Sequence, residues 1–316
     1  MCPPGSSSGT RSSDGAMTST DHPTENVRDR IATWHVITGS ARGAAHKASG
    51  RPNQDAVARE DGPDGAVIVA IADGHGHARH FRSADGSALA VIVACRVASR
   101  MAARLAAGAP GAEAAALTGQ ELTQAIVADW RSAVAAQLAV RPYTAKEQSL
   151  LDLAEDPPEV GYGSTLLVAM IAADWLVCAQ IGDGDMLAVC PDGRSFQPVA
   201  ADDRLDGLRT TSLCQADAVA SFRTGTHDLR KMPLAALLLA TDGYGNSQAE
   251  EPWQPGVGRD LAELAAEHDH HWFEQQVPGW AQRCASAEGS GDDTTIALLL
   301  RPKVAAQVHA DAEGGG

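Results

Sequence analysis

Val67-Ile68-Val69-Ala70-Ile71-Ala72 runs without a polar side chain into Asp73-Gly74-His75-Gly76-His77. Val67, Ile68, Val69 and Ile71 are β-branched, so the run reads as a buried strand stopping in a tight turn. A carboxylate at such a strand end borders the core and still reaches solvent. Oxygen ligands placed there can hold a hard metal ion. A plain polar strand-to-helix turn fits the same stretch equally well. Further Asp-bearing turns after similar runs decide between the two.

The chain has 316 residues, enough for one large domain or two small ones. Hydrophobic residues make up 44% and aromatics only 4%, so alanine and valine must fill much of the core. The net charge of -15 repels phosphate backbones, which argues against nucleic acid as a partner. The six cysteines form no CxxC pair, and Cys95, Cys178 and Cys190 sit in apolar runs as buried reduced thiols. No stretch reaches the ~18 apolar residues needed to cross a bilayer, so no membrane is expected. The Ser/Gly/Thr-rich beginning lacks the apolar core of a secretory signal, and the expected location is cytoplasmic.

Residues 1–28 are polar and low in complexity, which predicts a disordered leader. Ile31 to Ser40 reads as the first strand and Ala41 to Asp55 as a loop. Ala56 to Glu60 reads as a short strand, joined to Val67 to Ala72 through the Asp61-Gly62-Pro63-Asp64-Gly65 turn. That hairpin would bring Asp55 and Asp73 to one end of a sheet. Ser87 to Ala107 and Leu122 to Val140 carry apolar stripes at helical spacing, enough to cover one sheet face. Pro157 to Tyr162 is a turn. Strands over Gly163 to Ile171, Trp175 to Ile181 and Met186 to Cys190 read as an antiparallel β-meander. Phe196 to Thr226 is mixed. Leu234 to Ala240 is a strand stopping at Thr241-Asp242-Gly243. Leu261 to Cys284 is one or two helices, and Ile296 to Leu300 is the last strand. Residues 29–302 are expected to form one α+β domain, with 303–316 a flexible tail.

Asp55, Asp73, Asp183, Asp242 and Asp292 thus fall at strand ends, several beside glycine. So many acids in one place repel at neutral pH unless cations lie between them. Carboxylate oxygens suit Mg²⁺ or Mn²⁺. No HExxH, zinc spacing, GxSxG or Walker loop is present, so the residues read as a metal-dependent hydrolase. Among the remaining polar residues, Asp185 reads as a turn residue and Asp293 as a neighbour of the site. His77 and His80 read as solvated. His270-His271 reads as a surface pair with no third ligand evident.

Asn53-Gln54-Asp55, Asp73-Gly74-His75-Gly76, Gly163-Ser164-Thr165, Ile181-Gly182-Asp183, Thr241-Asp242-Gly243 and Gly291-Asp292-Asp293-Thr294-Thr295 occur in the order seen in metal-dependent protein phosphatases of the protein phosphatase 2C type. The chain resembles that family from about Trp34 to Leu300, most closely its bacterial branch. The resemblance implies a central antiparallel β-sandwich flanked by helices on both faces. It also implies a binuclear Mn²⁺ or Mg²⁺ centre, with a weaker third ion in some members. By motif, Asp73 would bridge the two ions, the Gly74 carbonyl would ligate one, and Asp242 and Asp292 would hold the other. Asp55 would act near the centre through water, and Asp183 would help hold the third ion. His75 would protonate the leaving alkoxide while a metal-activated hydroxide attacks phosphorus in line, without a phosphoenzyme. The implied substrate is a phosphoserine or phosphothreonine protein, and a serine/threonine kinase is an implied partner.

Two positions depart from the family. The arginine that many members place five residues before Asp55 is Gly50 here, so Arg51, or else Arg42, Lys47 or Arg79, would grip the phosphate. The acid that many members place before Asp55 is Gln54, which weakens the second metal position. These departures leave open a catalytically weak or inactive module that binds phosphoproteins, and a phosphatase for small phosphorylated metabolites.

Overall fold

Both faces of the apolar strands are buried, and that explains their unbroken hydrophobic pattern. In the computed structural model of the chain, residues 34–107, 111–152, 154–204, 210–249 and 252–302 are described. The expectations for residues 1–28 and 303–316 lie outside them. The elements follow in the order β1 (His35–Ala41), α1 (Ala44–Ser49), β2 (Ala56–Asp61), β3 (Val67–Ala72), α2 (Ser83–Ala107), α3 (Ala112–Val140) and α4 (Ala145–Gln148). Next come β4 (Leu166–Ala172), β5 (Trp175–Ile181), β6 (Asp185–Val189), β7 (Ser195–Phe196), α5 (Ala218–Ser221) and β8 (Arg223–Asp228). The chain continues through β9 (Ala236–Ala240), α6 (Asp242–Gly245), α7 (Gln254–Glu267), α8 (His270–Cys284) and β10 (Thr294–Leu300).

Two antiparallel 5-stranded sheets form, in the orders β1-β10-β9-β6-β7 and β2-β3-β4-β5-β8. Alternation along a strand sends successive side chains to opposite faces. In β3, Val67, Val69 and Ile71 join Leu167, Ala169, Leu237, Leu239, Ala297 and Leu299 between the sheets. Ile68, Ala70 and Ala72 point the other way, into a layer with Val97, Leu122, Ile126 and Trp130 of α2 and α3. On the far side, Leu238, Ile296 and Leu298 pack against Phe273 and Val277 of α8 and Leu261 of α7. The result is an α+β sandwich with helices on both faces, as the resemblance implied. No described helix is long and apolar enough to cross a membrane.

Antiparallel pairing gathers particular strand ends at one edge. Ala56 pairs with Ala72, so Asp55 and Asp73 lie just beyond the same end of the β2–β3 ladder. Leu166 pairs with Ile181, which brings the Ser164-Thr165 entry to β4 beside the Gly182-Asp183 exit from β5. Ala240 pairs with both Ile296 and Asp185, so the end of β9 meets the starts of β10 and β6. Asp55, Asp73, Asp183, Asp242 and Asp292 therefore issue from this edge.

The structure departs from the sequence reading at several elements. The expected loop from Ala41 to Asp55 contains α1, closed by Gly50 in the left-handed region at φ 73°. Both long helices begin earlier than expected, at Ser83 and Ala112. Pro158–Tyr162 is a 3₁₀ turn. The expected meander breaks after β5: β6 leaves for the other sheet and pairs with β9 and β7. Gly182, at φ 100°, makes that exit and lies against Thr165.

Where α2 starts, Gly86 carries the tightest helix–loop contact. A β-carbon built on it would run into the Tyr162 carbonyl. Trp130 of α3, fully buried, donates its indole N–H to the Gly86 carbonyl at 3.0 Å. Gly86→Ala should therefore destabilise the fold by about 1–3 kcal/mol despite alanine's better helix propensity. Urea unfolding of the variant beside wild type measures it, and an unchanged midpoint would contradict the packing described.

Candidate metal centre

Asp73, Asp242 and Asp292 line one cavity of about 650 Å³, together with His75, Gly76, His77, Arg79, His80 and Asp156. Asp73 is held by its backbone. Its N–H donates to Thr165 Oγ1 at 3.0 Å, and its carbonyl accepts from Thr165 N at 2.8 Å and Ser164 Oγ at 3.0 Å. The carboxylate is left to face the cavity. Gly74 next to it donates its N–H to the Gln54 carbonyl at 3.1 Å, and a β-carbon there would press on the Ser83 and Gln54 carbonyls. Only glycine lets β3 run this close to α2.

Asp55 ties the two sheets together. Its Oδ2 accepts from Thr241 Oγ1 at 2.8 Å. Its Oδ1 is buried with no hydrogen-bond partner. Asp242 opens α6, and its Oδ2 accepts from Asn246 Nδ2 at 3.2 Å. Asp292 is exposed to the cavity, and one of its oxygens accepts from Asp293 N at 2.8 Å. Asp183 lines an adjoining cavity of about 190 Å³ with Asp185, Asp202 and Arg223.

These acids feel one another. Burial, followed by the charges of Asp55, Asp242, Asp183 and Asp292, pushes Asp73 well above the ordinary carboxylate range. Burial, with the charges of Asp293 and Asp242, raises Asp55 to about 8 against the opposing influence of the Thr295 and Thr241 hydroxyls. Burial, with Asp183 and Asp292, raises Asp242 to about 7. Yet no three of these acids place oxygens within 4.8 Å of one another. Asp73, Asp242 and Asp292 line the cavity rather than converge on a single point.

The donor set fits hard divalent cations. Asp73, Asp242 and Asp292 offer carboxylate oxygens to the cavity, and nearby Asp55 has a buried carboxylate oxygen lacking any partner; hard divalent cations take oxygen ligands of this kind.

Other residues part company with their expected roles. Asp293, read as a neighbour of the site, is a buried clamp there. Its Oδ1 accepts from Gly43 N at 2.7 Å, and its Oδ2 accepts from Gln54 N at 2.6 Å and contacts His46 Nδ1 at 2.8 Å. His80 is partly buried rather than solvated, with Nδ1 at 2.6 Å from the Val160 carbonyl. Its ring meets that of His75 edge-on at 4.9 Å. Burial and His80 together push His75 down to about 3, so the imidazole is neutral at physiological pH. His77 is exposed. Arg51 is also exposed and donates Nη1 to the cavity-lining Gly76 carbonyl at 2.8 Å. Arg79 lines the cavity and pairs with Asp156, while its Nε is buried without a partner. Gln54, expected beside the metal, gives its side-chain amide to Ser83 Oγ at the start of α2.

The comparisons follow this geometry. Residues 42–278 match the family model for protein phosphatase 2C. A crystal structure of a bacterial serine phosphatase superposes with a TM-score of 0.53 at 15% identity, covering 86% of this chain and 100% of that one. The S. agalactiae serine/threonine phosphatase superposes with a TM-score of 0.52 at 16% identity, covering 85% of this chain and 100% of that one. At these identities the two structures speak for the fold. A search of curated proteins finds no match. With a family model matched across most of its length and the fold alike, the chain belongs to the protein phosphatase 2C family.

Proposed function

We propose that the chain is a divalent-metal-dependent phosphatase acting on phosphoserine and phosphothreonine in proteins. One observation carries the reading: Asp73, Asp242 and Asp292, from distant parts of the chain, face a single cavity. We place the catalytic domain at residues 29–302.

In this reading Asp73, Asp242, Asp292 and the Gly74 carbonyl hold Mn²⁺ or Mg²⁺, with Asp55 beside them and Asp183 serving a weaker position. When bound, such a pair of ions polarises phosphoryl oxygens and makes water a stronger nucleophile. Asp55, gripped by Thr241, orients water through its free oxygen. Arg51, fixed on the Gly76 carbonyl at the cavity rim, receives the phosphate. His75 sits on the turn after Asp73. Its proton-donor role requires the arriving phosphate dianion to raise its pKa from the depressed value, as an opposite charge at close range does.

Asp73→Asn is the direct test. It should abolish Mn²⁺-dependent hydrolysis of a phosphothreonine peptide and of p-nitrophenyl phosphate. The loss should exceed the about 10–100-fold expected for a merely supporting hydrogen bond. Wild type that binds Mn²⁺ by calorimetry without turning over either substrate would point instead to a phosphoprotein-binding module.

His75→Gln should reduce turnover of the phosphothreonine peptide, whose alkoxide needs a proton, far more than that of p-nitrophenyl phosphate, whose phenolate leaves unaided. Equal losses on both substrates would remove His75 from the proton-donor role.

The pH dependence has a definite sign. With its folded pKa near 8, Asp55 keeps its proton through a range in which the unfolded chain loses it near pH 4. Its favourable contribution to metal-free stability is full below about pH 4 and fades as the pH climbs towards 8. Stability of the metal-free wild type, measured relative to Asp55→Asn, should fall by more than about 1.4 kcal/mol between pH 5 and pH 8, the equivalent of one pKa unit. Mn²⁺ must displace that proton, so its stabilising effect should grow over the same range. Denaturant titrations at each pH, with and without Mn²⁺, read both trends. A difference that rises with pH would overturn the assignment.

A further inference from the structure

A second cluster of metal-competent side chains lies outside the acid cavity. His270 and His271 open α8, and Glu274 follows one turn later. Spacings of three and four residues bring side chains to one side of a helix. Here one nitrogen from each imidazole and one carboxylate oxygen lie within 4.8 Å of one another. Among the described residues this is the one such trio of His, Cys, Asp and Glu. His271 Nδ1 is 3.2 Å from Glu274 Oε2.

The site is also braced. The His270 ring stacks parallel on that of His35, the first residue of β1, with centroids 3.8 Å apart and planes 2° from parallel. The His271 ring lies 4.0 Å from that of His270. A cavity of about 230 Å³, lined by His35, His268, Asp269 and His270 among others, adjoins the stack. The neighbouring helix start opposes a cation with a partial charge of about +0.5. Asp269, which caps α8 by accepting from Trp272 N, and Glu274 bring two full carboxylates against it. The overall charge of -15 acts in the same direction.

Two imidazoles and a carboxylate suit Zn²⁺, Ni²⁺ or Cu²⁺, whereas the carboxylates Asp73, Asp242 and Asp292 suit Mg²⁺ or Mn²⁺. Three protein ligands leave one tetrahedral position open. We propose that His270, His271 and Glu274 form a second metal site, selective for a borderline transition ion, with His35 as the positioning residue that holds the His270 ring. An ion bound there fixes the first turn of α8, whose His270 ring is already seated on β1.

Calorimetric titration of the full chain with Ni²⁺, in excess Mg²⁺, tests this without reference to turnover. Wild type and Asp73→Asn should both bind about one Ni²⁺ with micromolar affinity. His271→Ala and Glu274→Gln should each weaken that binding at least tenfold. Both side chains are exposed, so the fold should tolerate their loss. His35→Phe, which keeps a ring in the stack, should retain binding, and His35→Ala should weaken it severalfold. Ni²⁺ binding that survives both His271→Ala and Glu274→Gln, or that disappears only in Asp73→Asn, would overturn the site. The phosphatase reading would stand or fall separately.

Discussion

Repulsion between buried carboxylates is what the rest of this structure must contain. Two like charges in contact repel by about 4 kcal/mol at an effective dielectric of 20, and burial adds a desolvation cost to each. Asp73, Asp55 and Asp242 all rise above the ordinary carboxylate range for these two reasons. A fold can tolerate such a group only if the backbone around it cannot relax. The four-layer packing supplies that rigidity, because β3 is buried on both faces and stops at Asp73 with no slack. The backbone bonds from Asp73 to Ser164 and Thr165 then fix the turn from the β4 side.

Cross-sheet contacts complete the frame. The acids come from both sheets, so the sheets must be locked in register at this edge. Thr241 does so twice: its hydroxyl donates to Asp55 in the other sheet, and it accepts from Thr295 N at 2.8 Å in its own. Asp293 does so from β10, gripping Gly43 and Gln54. Adjacent residues thus take opposite tasks. Asp292 turns to the cavity, while Asp293 turns inward and spends its carboxylate on backbone N–H groups. Gly43 must be glycine for this clamp to close, since a β-carbon there would strike the backbone at Gly291 to Asp293.

The parts of this arrangement legible in the sequence are those written locally. β3 is found to the residue because an apolar β-branched run ends abruptly in Asp-Gly. The Asp55–Asp73 juxtaposition follows from one hairpin, and the register confirms it. What was illegible depends on distant partners. β5 and β6 read as one meander because both are apolar on every face. Only the pairing of β6 with β9, some fifty residues on, separates them. Helix α1 buries no side chain, so it has no apolar stripe to betray it. His80 looks solvated until Val160 arrives from another segment to cover it. The third member of the His270 cluster was within reach, because Glu274 stands at the right helical spacing in the sequence itself.

Arg79 and Arg51, two cations near the cavity, are held in different ways. Arg79 lines the cavity, yet Asp156 is paired with it, and a contact pair presents little net field a few ångströms away. Arg51 donates to a neutral carbonyl instead, so its full charge remains available at the rim. It is also anchored at the residue that follows His75, which couples its position to the Asp73 turn. Gly50 ends α1 with a positive φ that an arginine would adopt only under strain. How α1 terminates therefore favours a cation at position 51 over one at position 50. The helix keeps the left-handed position for its glycine cap, and the cation stands at the next residue, Arg51, whose guanidinium donates to the cavity-lining Gly76 carbonyl.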